Sequence, residues 1–430
     1  MRILLLTQYF PPETGAAQNR LSDLACRMAS AGHEVTVLTS MPNYPQGRIF
    51  EAYRGRLFST ETKGGIRVLR TWCYVSQNRG FISRLLNYCS FAVLSLVAGL
   101  LSSGKQDVIV VESPPLFLGL TGVLLSRWRR AKMILNVSDL WPQSAVSMGL
   151  LRNQTLIKIA SALEGWLYDC SYATTGQTEG IVQHIRDRVP DVPVELITNG
   201  VDPDKFANIA QQRTALRAEL GFAENFVVGY AGLHGLAQGL DTLLDAAEMF
   251  CSERQSLLFA FFGDGLEKHR MVERARAREL KNVLFFPPRS PERMPGILAC
   301  LDAAIVPLRN LPLFSGALPS KLFESMAAGV PIVLAAPTGE ATRLVQNANC
   351  GICVPPEDSR AMAGAISQLA SDPALCRTLG ENGSRYVCRH YDRREMAMRF
   401  LRLLPQSSQH DGERGIASTA SVVQERNAEL

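Results

Sequence analysis

Ser315-Gly316-Ala317-Leu318-Pro319-Ser320-Lys321-Leu322-Phe323-Glu324-Ser325-Met326-Ala327-Ala328-Gly329-Val330-Pro331 runs into the apolar Ile332-Val333-Leu334. A Gly/Pro/Ser loop enters a short helix carrying one Lys and one Glu, and Gly329-Val330-Pro331 stops that helix before a strand begins. Such a loop and helix N-terminus can face a phosphate with backbone amides, and Lys321 adds a positive charge. Glu324, one turn on, can accept two hydroxyl hydrogen bonds from a ribose. An ordinary βαβ crossover with a solvated Lys and Glu would carry the same pattern, so the segment alone leaves both readings open.

Outward from this segment, the pattern alternates strand and helix. Phe226–Ala231, Leu257–Phe262, Asn282–Phe286, Ala303–Pro307, Ile332–Ala335 and Ile352–Val354 read as strands with helical spacing between them. The first half repeats the scheme with Ile3–Gln8, His33–Ser40, Ile66–Trp72, Asp107–Val111, Lys132–Val137, Ala173–Thr175 and Val194–Ile197. The fold class is therefore α/β, with two doubly wound Rossmann-like halves whose strand C-termini meet across a cleft. The expected division is residues 1–199, residues 200–404 and a polar, aperiodic, disordered tail 405–430, with the turn-rich Asn199-Gly200-Val201-Asp202-Pro203-Asp204 as linker. The last helix could pack back on the first half. Asp202-Pro203-Asp204 spells a DxD, but its turn context predicts helix capping instead of metal binding.

A chain of 430 residues with 47% hydrophobic and 20% charged residues can fill two cores. A net charge of +5 gives no argument for nucleic acid. The ten cysteines fall mostly in apolar patterns, and the single CxxC, Cys350-Gly351-Ile352-Cys353, has no second pair to complete a zinc set. The short apolar start Met1-Arg2-Ile3-Leu4-Leu5-Leu6 leads straight into strand and loop, which predicts a cytoplasmic protein.

Several loops add to the anion-site pattern. Gly229-Tyr230-Ala231-Gly232-Leu233-His234-Gly235-Leu236-Ala237-Gln238-Gly239 sets four glycines between a strand and a helix, where backbone can approach a pyrophosphate or simply turn. Gly263-Asp264-Gly265 reads as a tight structural turn. In the first half, Tyr9-Phe10-Pro11-Pro12-Glu13-Thr14-Gly15-Ala16-Ala17 forms a cleft-facing loop in which Gly15 and Ala16 admit close approach of a phosphate or acceptor, or serve a Pro-rich turn. Asn136-Val137-Ser138-Asp139-Leu140-Trp141-Pro142 places Asp139 just past a parallel strand, again on the cleft side.

Between Arg84 and Lys105 lie 20 uncharged residues, diluted by Asn87, Ser90, Ser95, Gly99, Ser102 and Ser103. Interfacial helix, buried core helix and membrane span are all open. Seven basic residues between Arg79 and Lys132, against only Asp107 and Glu112, favour the interfacial reading.

Taken together, these motifs resemble the retaining glycosyltransferases of family 4, which have the GT-B fold and use nucleotide-sugar donors. The Pro319-Ser320-Lys321 wording, Asp139-Leu140-Trp141-Pro142 and Met41-Pro42-Asn43-Tyr44 followed by Pro45-Gln46-Gly47-Arg48 are similar to the branch that builds bacterial surface polysaccharides and contains N-acetyl-L-fucosamine transferases. The resemblance covers about residues 1 to 400. It departs at three places: Gly316 stands where the common signature has its first Glu, Ser138 where the branch has Arg, and Gln238 where the Gly-rich loop commonly supplies a cation. The resemblance implies donor contacts from Gly15, Ala16, Gly232, Gln238, Arg289 (beside the base, through backbone), Pro319, Ser320, Lys321, Leu322 and Glu324, with Asp139, Lys321 and Glu324 as catalytic groups.

It further implies transfer of an N-acetylated amino sugar, with retention and without a metal or other cofactor. On this resemblance the donor would be a UDP-sugar and the acceptor a polyprenyl-diphosphate-linked sugar in O-antigen, capsule or exopolysaccharide synthesis. The enzyme would sit peripherally on the inner face of the cell membrane, with no nucleic-acid partner. A UDP-sugar 2-epimerase of the same fold and a non-catalytic nucleotide-binding module are the alternatives, and absence of a GxGxxG weakens an oxidoreductase reading.

Overall fold

The computed structural model describes residues 1–44, 47–76, 80–251 and 257–405. The expected disordered tail, Arg79 and the Pro45-Gln46 pair lie outside the described residues. Fourteen strands are present among those described: β1 Arg2–Leu6, β2 Glu34–Ser40, β3 Phe58–Lys63, β4 Ile66–Thr71, β5 Val108–Ser113, β6 Lys132–Val137, β7 Ala173–Gly176, β8 Val194–Leu196, β9 Phe226–Ala231, β10 Leu257–Phe262, β11 Val283–Phe286, β12 Ala303–Pro307, β13 Ile332–Ala335 and β14 Gly351–Val354.

They form two sheets, ordered β3-β4-β2-β1-β5-β6-β7-β8 and β11-β10-β9-β12-β13-β14. Every pair is parallel except β3 with β4. Numbered within each half, the central order is 3-2-1-4-5-6, so the winding reverses between β1 and β5 and again between β9 and β12. Loops leaving the strand C-termini at those reversals open a crevice, which fixes where a ligand can sit. Central strands such as β5 (Val108 to Val111) and β12 (Ala303 to Val306) are buried throughout because helices cover both faces.

β3 was not foreseen. Gly64 and Gly65, at φ +57° and +78°, make a two-residue turn that pairs Lys63 with Ile66, a turn that needs positive φ at both central positions. Its exposed, charged residues place it at the sheet edge.

The halves are tied at several points. The last helix, Arg393–Arg402, inserts Met396, Ala397 and Phe400 into the core formed by Leu21, Leu24, Ala25 and Met28 of the first half. Glu340 accepts from the backbone amides of Glu179 (3.1 Å) and Gly180 (2.7 Å), so a carboxylate of one half caps a helix of the other. Asp202 makes no side-chain capping bond. It faces Arg27 at 3.8 Å, and Asp204 faces Arg394 at 3.4 Å, so the expected capping role is replaced by ion pairs beside the linker.

The apolar stretch forms the helix Phe81–Ser102. Phe91, Ser95 and Ala98 are buried, and Gly99 packs so closely that a Cβ there would lie 2.6 Å from Leu125. The Arg129 guanidinium donates to the carbonyls of Gly99 (3.2 Å) and Leu100 (2.6 Å), closing the helix end. Ile82, Leu86, Val93, Val97 and Leu101 lie on the opposite face and are exposed, Leu101 at 80%. Burial of the whole helix as core is thus overturned, because only its inner stripe meets the sheet's helical layer.

Candidate functional site

The strand-to-helix loop after β9 is built by glycines against a second loop. Gly232 N–H donates to the Phe262 carbonyl (2.9 Å), His234 N–H to Asp264 (2.9 Å), and Glu267 N–H to His234 (3.0 Å). A Cβ at Gly263 would fall onto the Gly232 carbonyl, and one at Gly265 onto that of His234. Gly263-Asp264-Gly265 therefore acts as a bed that fixes the Gly-rich loop. Lys268 crosses beneath it, its ammonium donating to Gly263 (2.7 Å) and Phe286 (2.9 Å) carbonyls.

Pro319, extended, precedes the helix Ser320–Ala327, whose first amides have no intrahelical acceptor. Leu322, Phe323 and Met326 anchor it in the core, which turns Lys321 and Glu324, three residues apart, to one half-buried side. The Lys321 ammonium lies 5.3 Å from the Tyr230 ring centroid, while Tyr230 Oη donates to the Leu233 carbonyl (2.6 Å). Gly232, at φ +145°, makes room: a Cβ there would sit 2.5 Å from Lys321 Cε. Lysine, Gly-rich loop and helix N-terminus thus meet at one place beside the β9/β12 reversal.

Burial pulls the Lys321 ammonium below its usual range, opposed by Glu324. Burial lifts the Glu324 carboxyl, opposed by Arg393 and Lys321. His234 is fully buried with neither ring nitrogen hydrogen-bonded, and burial and then Lys268 push it down to about 4, so it is neutral near pH 7.

Across the crevice, Gly15 caps the helix Ala16–Ser30 with no side-chain cap, and Ala16 is exposed. Asp139 is half-buried, its carboxyl raised by burial against hydrogen bonds from Ser144 and the Leu140 amide. The helix just after it, Gln143–Ser147, lies against Pro312–Gly316 of the second half. The structure therefore brings the Asp139 loop opposite the segment that leads into Ser320–Ala327. Behind Asp139 a polar network joins Arg20 to Glu112 (2.7 Å) and Ser138 (2.9 Å), with Ser138 and Asn136 also donating to Glu112. Arg20 thereby supplies a guanidinium at the position adjoining Ser138, where the resembling branch has Arg in sequence.

One expected donor contact is corrected. The Leu322 side chain is fully buried and its amide donates to Pro319 (3.0 Å), so neither part is free for a ligand. Gln238 folds over Gly235, its Oε1 buried without a partner. Arg289 is half-buried, and its Nε has no partner among the described residues. At Gly316 a Cβ would meet nothing within 4 Å, so the missing Glu leaves open space.

Two family descriptions match in tandem: "Glycosyl transferase 4-like domain" over residues 15–200 and "Glycosyl transferases group 1" over residues 212–386. The chain belongs to the GT-B glycosyltransferases of family 4. The glycosyl transferase WcaI of Escherichia coli strain K12, assigned by its name to colanic acid biosynthesis, is 29% identical over 86% of this chain and 92% of that protein. Sucrose-phosphate synthase from Thermosynechococcus elongatus shares the fold with a TM-score of 0.72 at 19% identity, over 94% of this chain and 98% of that one. HepE of Anabaena, solved with UDP-glucose, does so with a TM-score of 0.70 at 18% identity, over 94% and 99%.

In this glycosyltransferase the sequence reading missed Glu13. It is 2% exposed, accepts from the amides of Asn43 (2.7 Å), Tyr44 (2.8 Å) and Phe10 (3.3 Å), and is pushed by burial up to about 7 despite those bonds. It joins the loops after β1 and β2 on the crevice wall. The Asn43 and Tyr44 amides come from 30 and 31 positions away, a pairing with no local sequence signal.

A pH dependence follows from Glu324. Only the ionised carboxylate accepts two hydroxyl bonds, and its raised pKa means protonation begins above the ordinary carboxylate range. If Glu324 holds the ribose, affinity for uridine, which has no phosphate to titrate, is expected to fall as the pH is lowered toward the carboxylate range, the loss setting in at higher pH than for an ordinary glutamate, and Glu324→Gln to flatten the profile. A flat wild-type titration would contradict the role.

Proposed function

We propose that this glycosyltransferase moves a sugar from a UDP-sugar to a lipid-linked acceptor in bacterial surface-polysaccharide synthesis, with retention of configuration. The observation that carries the reading is the meeting of Lys321, the Ser320–Ala327 N-terminus and the Gly-rich loop at the β9/β12 reversal, with Glu324 one turn away. As the glycosidic bond to the donor breaks, charge develops on the departing diphosphate. Preorganised amides and one ammonium in a half-buried site stabilise that charge without reorganising. Lys321 and the helix amides are the positive groups in this reading, and it calls for no metal. Glu324 holds the ribose, and Asp139 approaches the acceptor from the other wall. HepE binds UDP-glucose in its own crystal and WcaI is named for polysaccharide synthesis, which supports the donor and pathway class.

A peripheral seat on the cytoplasmic face of the inner membrane is part of the proposal. Besides the exposed stripe Ile82, Leu86, Val93, Val97 and Leu101, the neighbouring helix Leu116–Arg129 exposes Leu124 and Trp128, and Arg127 and Lys132 lie over the rings of the exposed Trp166 and Tyr172 at 6.0 and 5.2 Å. Apolar and aromatic groups rimmed by cations suit an anionic interface. Leu96 and Leu100 lean on the core, so the informative changes are on the outer stripe. Val97→Glu with Leu101→Glu is expected to abolish flotation with anionic vesicles, and high salt to weaken it. Undiminished flotation of the double variant would refute the surface.

The transfer reaction is tested by incubating purified enzyme with a panel of UDP-sugars and polyprenyl-diphosphate sugars and weighing the products. One added sugar residue on the lipid is expected. Consumption of UDP-sugar with no change in acceptor mass would sink the proposal.

A further inference from the structure

We infer that Arg309 supplies the second positive charge at the donor diphosphate, from the loop after β12 instead of from the Gly-rich loop itself. The inference rests on the nucleotide-sugar reading of the crevice. A diphosphate carries more charge than one ammonium balances, and the Gly-rich loop contributes no cation. Lys268 has its ammonium engaged by two strand-end carbonyls, and His234 is buried and neutral. Neither can take the task without breaking the bed beneath the loop.

Arg309 is differently placed. Its backbone amide donates to the Ala237 carbonyl (3.0 Å), so it is fastened to the Gly-rich loop by main chain. Its side chain runs past Gly239, where a Cβ would lie 3.2 Å from Arg309 Cγ. Lys321 abuts the opening of the same loop at Gly232, and Arg309 abuts its close at Gly239. Two cations from other segments thus bracket the loop that lacks one, and Arg309 leaves the C-terminal end of β12, one of the two strands that flank the winding reversal.

Glu357 fixes the guanidinium. Its Oε1 accepts from Arg309 Nε (3.2 Å) and its Oε2 from the Asn310 amide (3.1 Å), which leaves both terminal nitrogens of Arg309 unpartnered among the described residues. Glu357 itself holds φ +60°, an unfavourable backbone state for a residue with a Cβ that persists where surrounding contacts enforce it. Both of its oxygens are occupied, and the pair is half-exposed at 48% and 41%, so solvent screens its charge. A guanidinium held through Nε presents two parallel N–H donors, the geometry suited to phosphate oxygens.

Calorimetry of wild type, Arg309→Met and Arg309→Lys with UDP and with uridine tests this. Arg309→Met is expected to weaken UDP at least about tenfold while leaving uridine unchanged, and Arg309→Lys to keep part of the UDP affinity. Unchanged UDP affinity in Arg309→Met overturns the inference, as does equal loss of UDP and uridine, which would make Arg309 structural. Wild type that binds UDP no better than uridine overturns the nucleotide-sugar reading beneath it.

Discussion

Replacing Lys321 with Met is expected to lower turnover by about 10²-fold or more, the scale seen when one preorganised group facing a developing charge is removed. Met preserves the length of the chain that packs beside Gly232 and over Tyr230, so the change removes charge with little loss of packing. Because the diphosphate gains negative charge only as the bond to the sugar breaks, the loss belongs mainly to kcat, with a smaller rise in KM. Burial holds the ammonium below its usual range, and a diphosphate beside it would raise it again, which would couple protonation of Lys321 to donor binding. Near-normal turnover in Lys321→Met would move the leaving-group role to another cation.

Glu324→Ala has the second large effect. Two ribose hydroxyls on one carboxylate predict a loss of about 1.5–3 kcal/mol in binding, the range for hydrogen bonds to a charged group. The loss is expected to be equal for uridine and UDP, because the proposed contact is to the ribose and not to the phosphates. That equality separates Glu324 from Arg309, whose loss is confined to UDP. Calorimetric affinity of Glu324→Ala within twofold of wild type would remove Glu324 from the site.

What could be read from the chain was local. Continuous apolar runs bounded by Gly and Pro marked the parallel strands of both sheets, and the helix carrying Lys321 and Glu324 announced its start and stop within twelve residues, Pro319 to Val330. β3 escaped because Ser59, Thr60, Glu61 and Thr62 lack an apolar face, although Gly64-Gly65 was a hairpin signal in plain view. What the chain could not announce was long-range. Glu357 meets Arg309 across 48 positions and Glu340 meets Gly180 across 160, and no periodicity encodes such pairs.

Local chemistry also misled where tertiary partners outbid it. Asp202 has the residue type of a cap, yet Arg27 and the neighbouring linker charges define its surroundings. His234 was the lone basic residue type in the Gly-rich loop, yet packing against Tyr230 and Phe261 removes its charge. Leu96 and Leu100 are as apolar as Val97 and Leu101, and only the direction of the helix's inner stripe distinguishes them.

In the proposed function the β9/β12 crevice holds a nucleoside diphosphate between the Gly-rich loop and the Ser320–Ala327 N-terminus. A crystal structure of the enzyme with UDP tests it most directly. Phosphate oxygens are expected within hydrogen-bond distance of Lys321 and of the first amides of that helix, with both ribose hydroxyls on Glu324. UDP bound elsewhere on the molecule, or in this crevice with its ribose away from Glu324 and its phosphates away from Lys321, would contradict it.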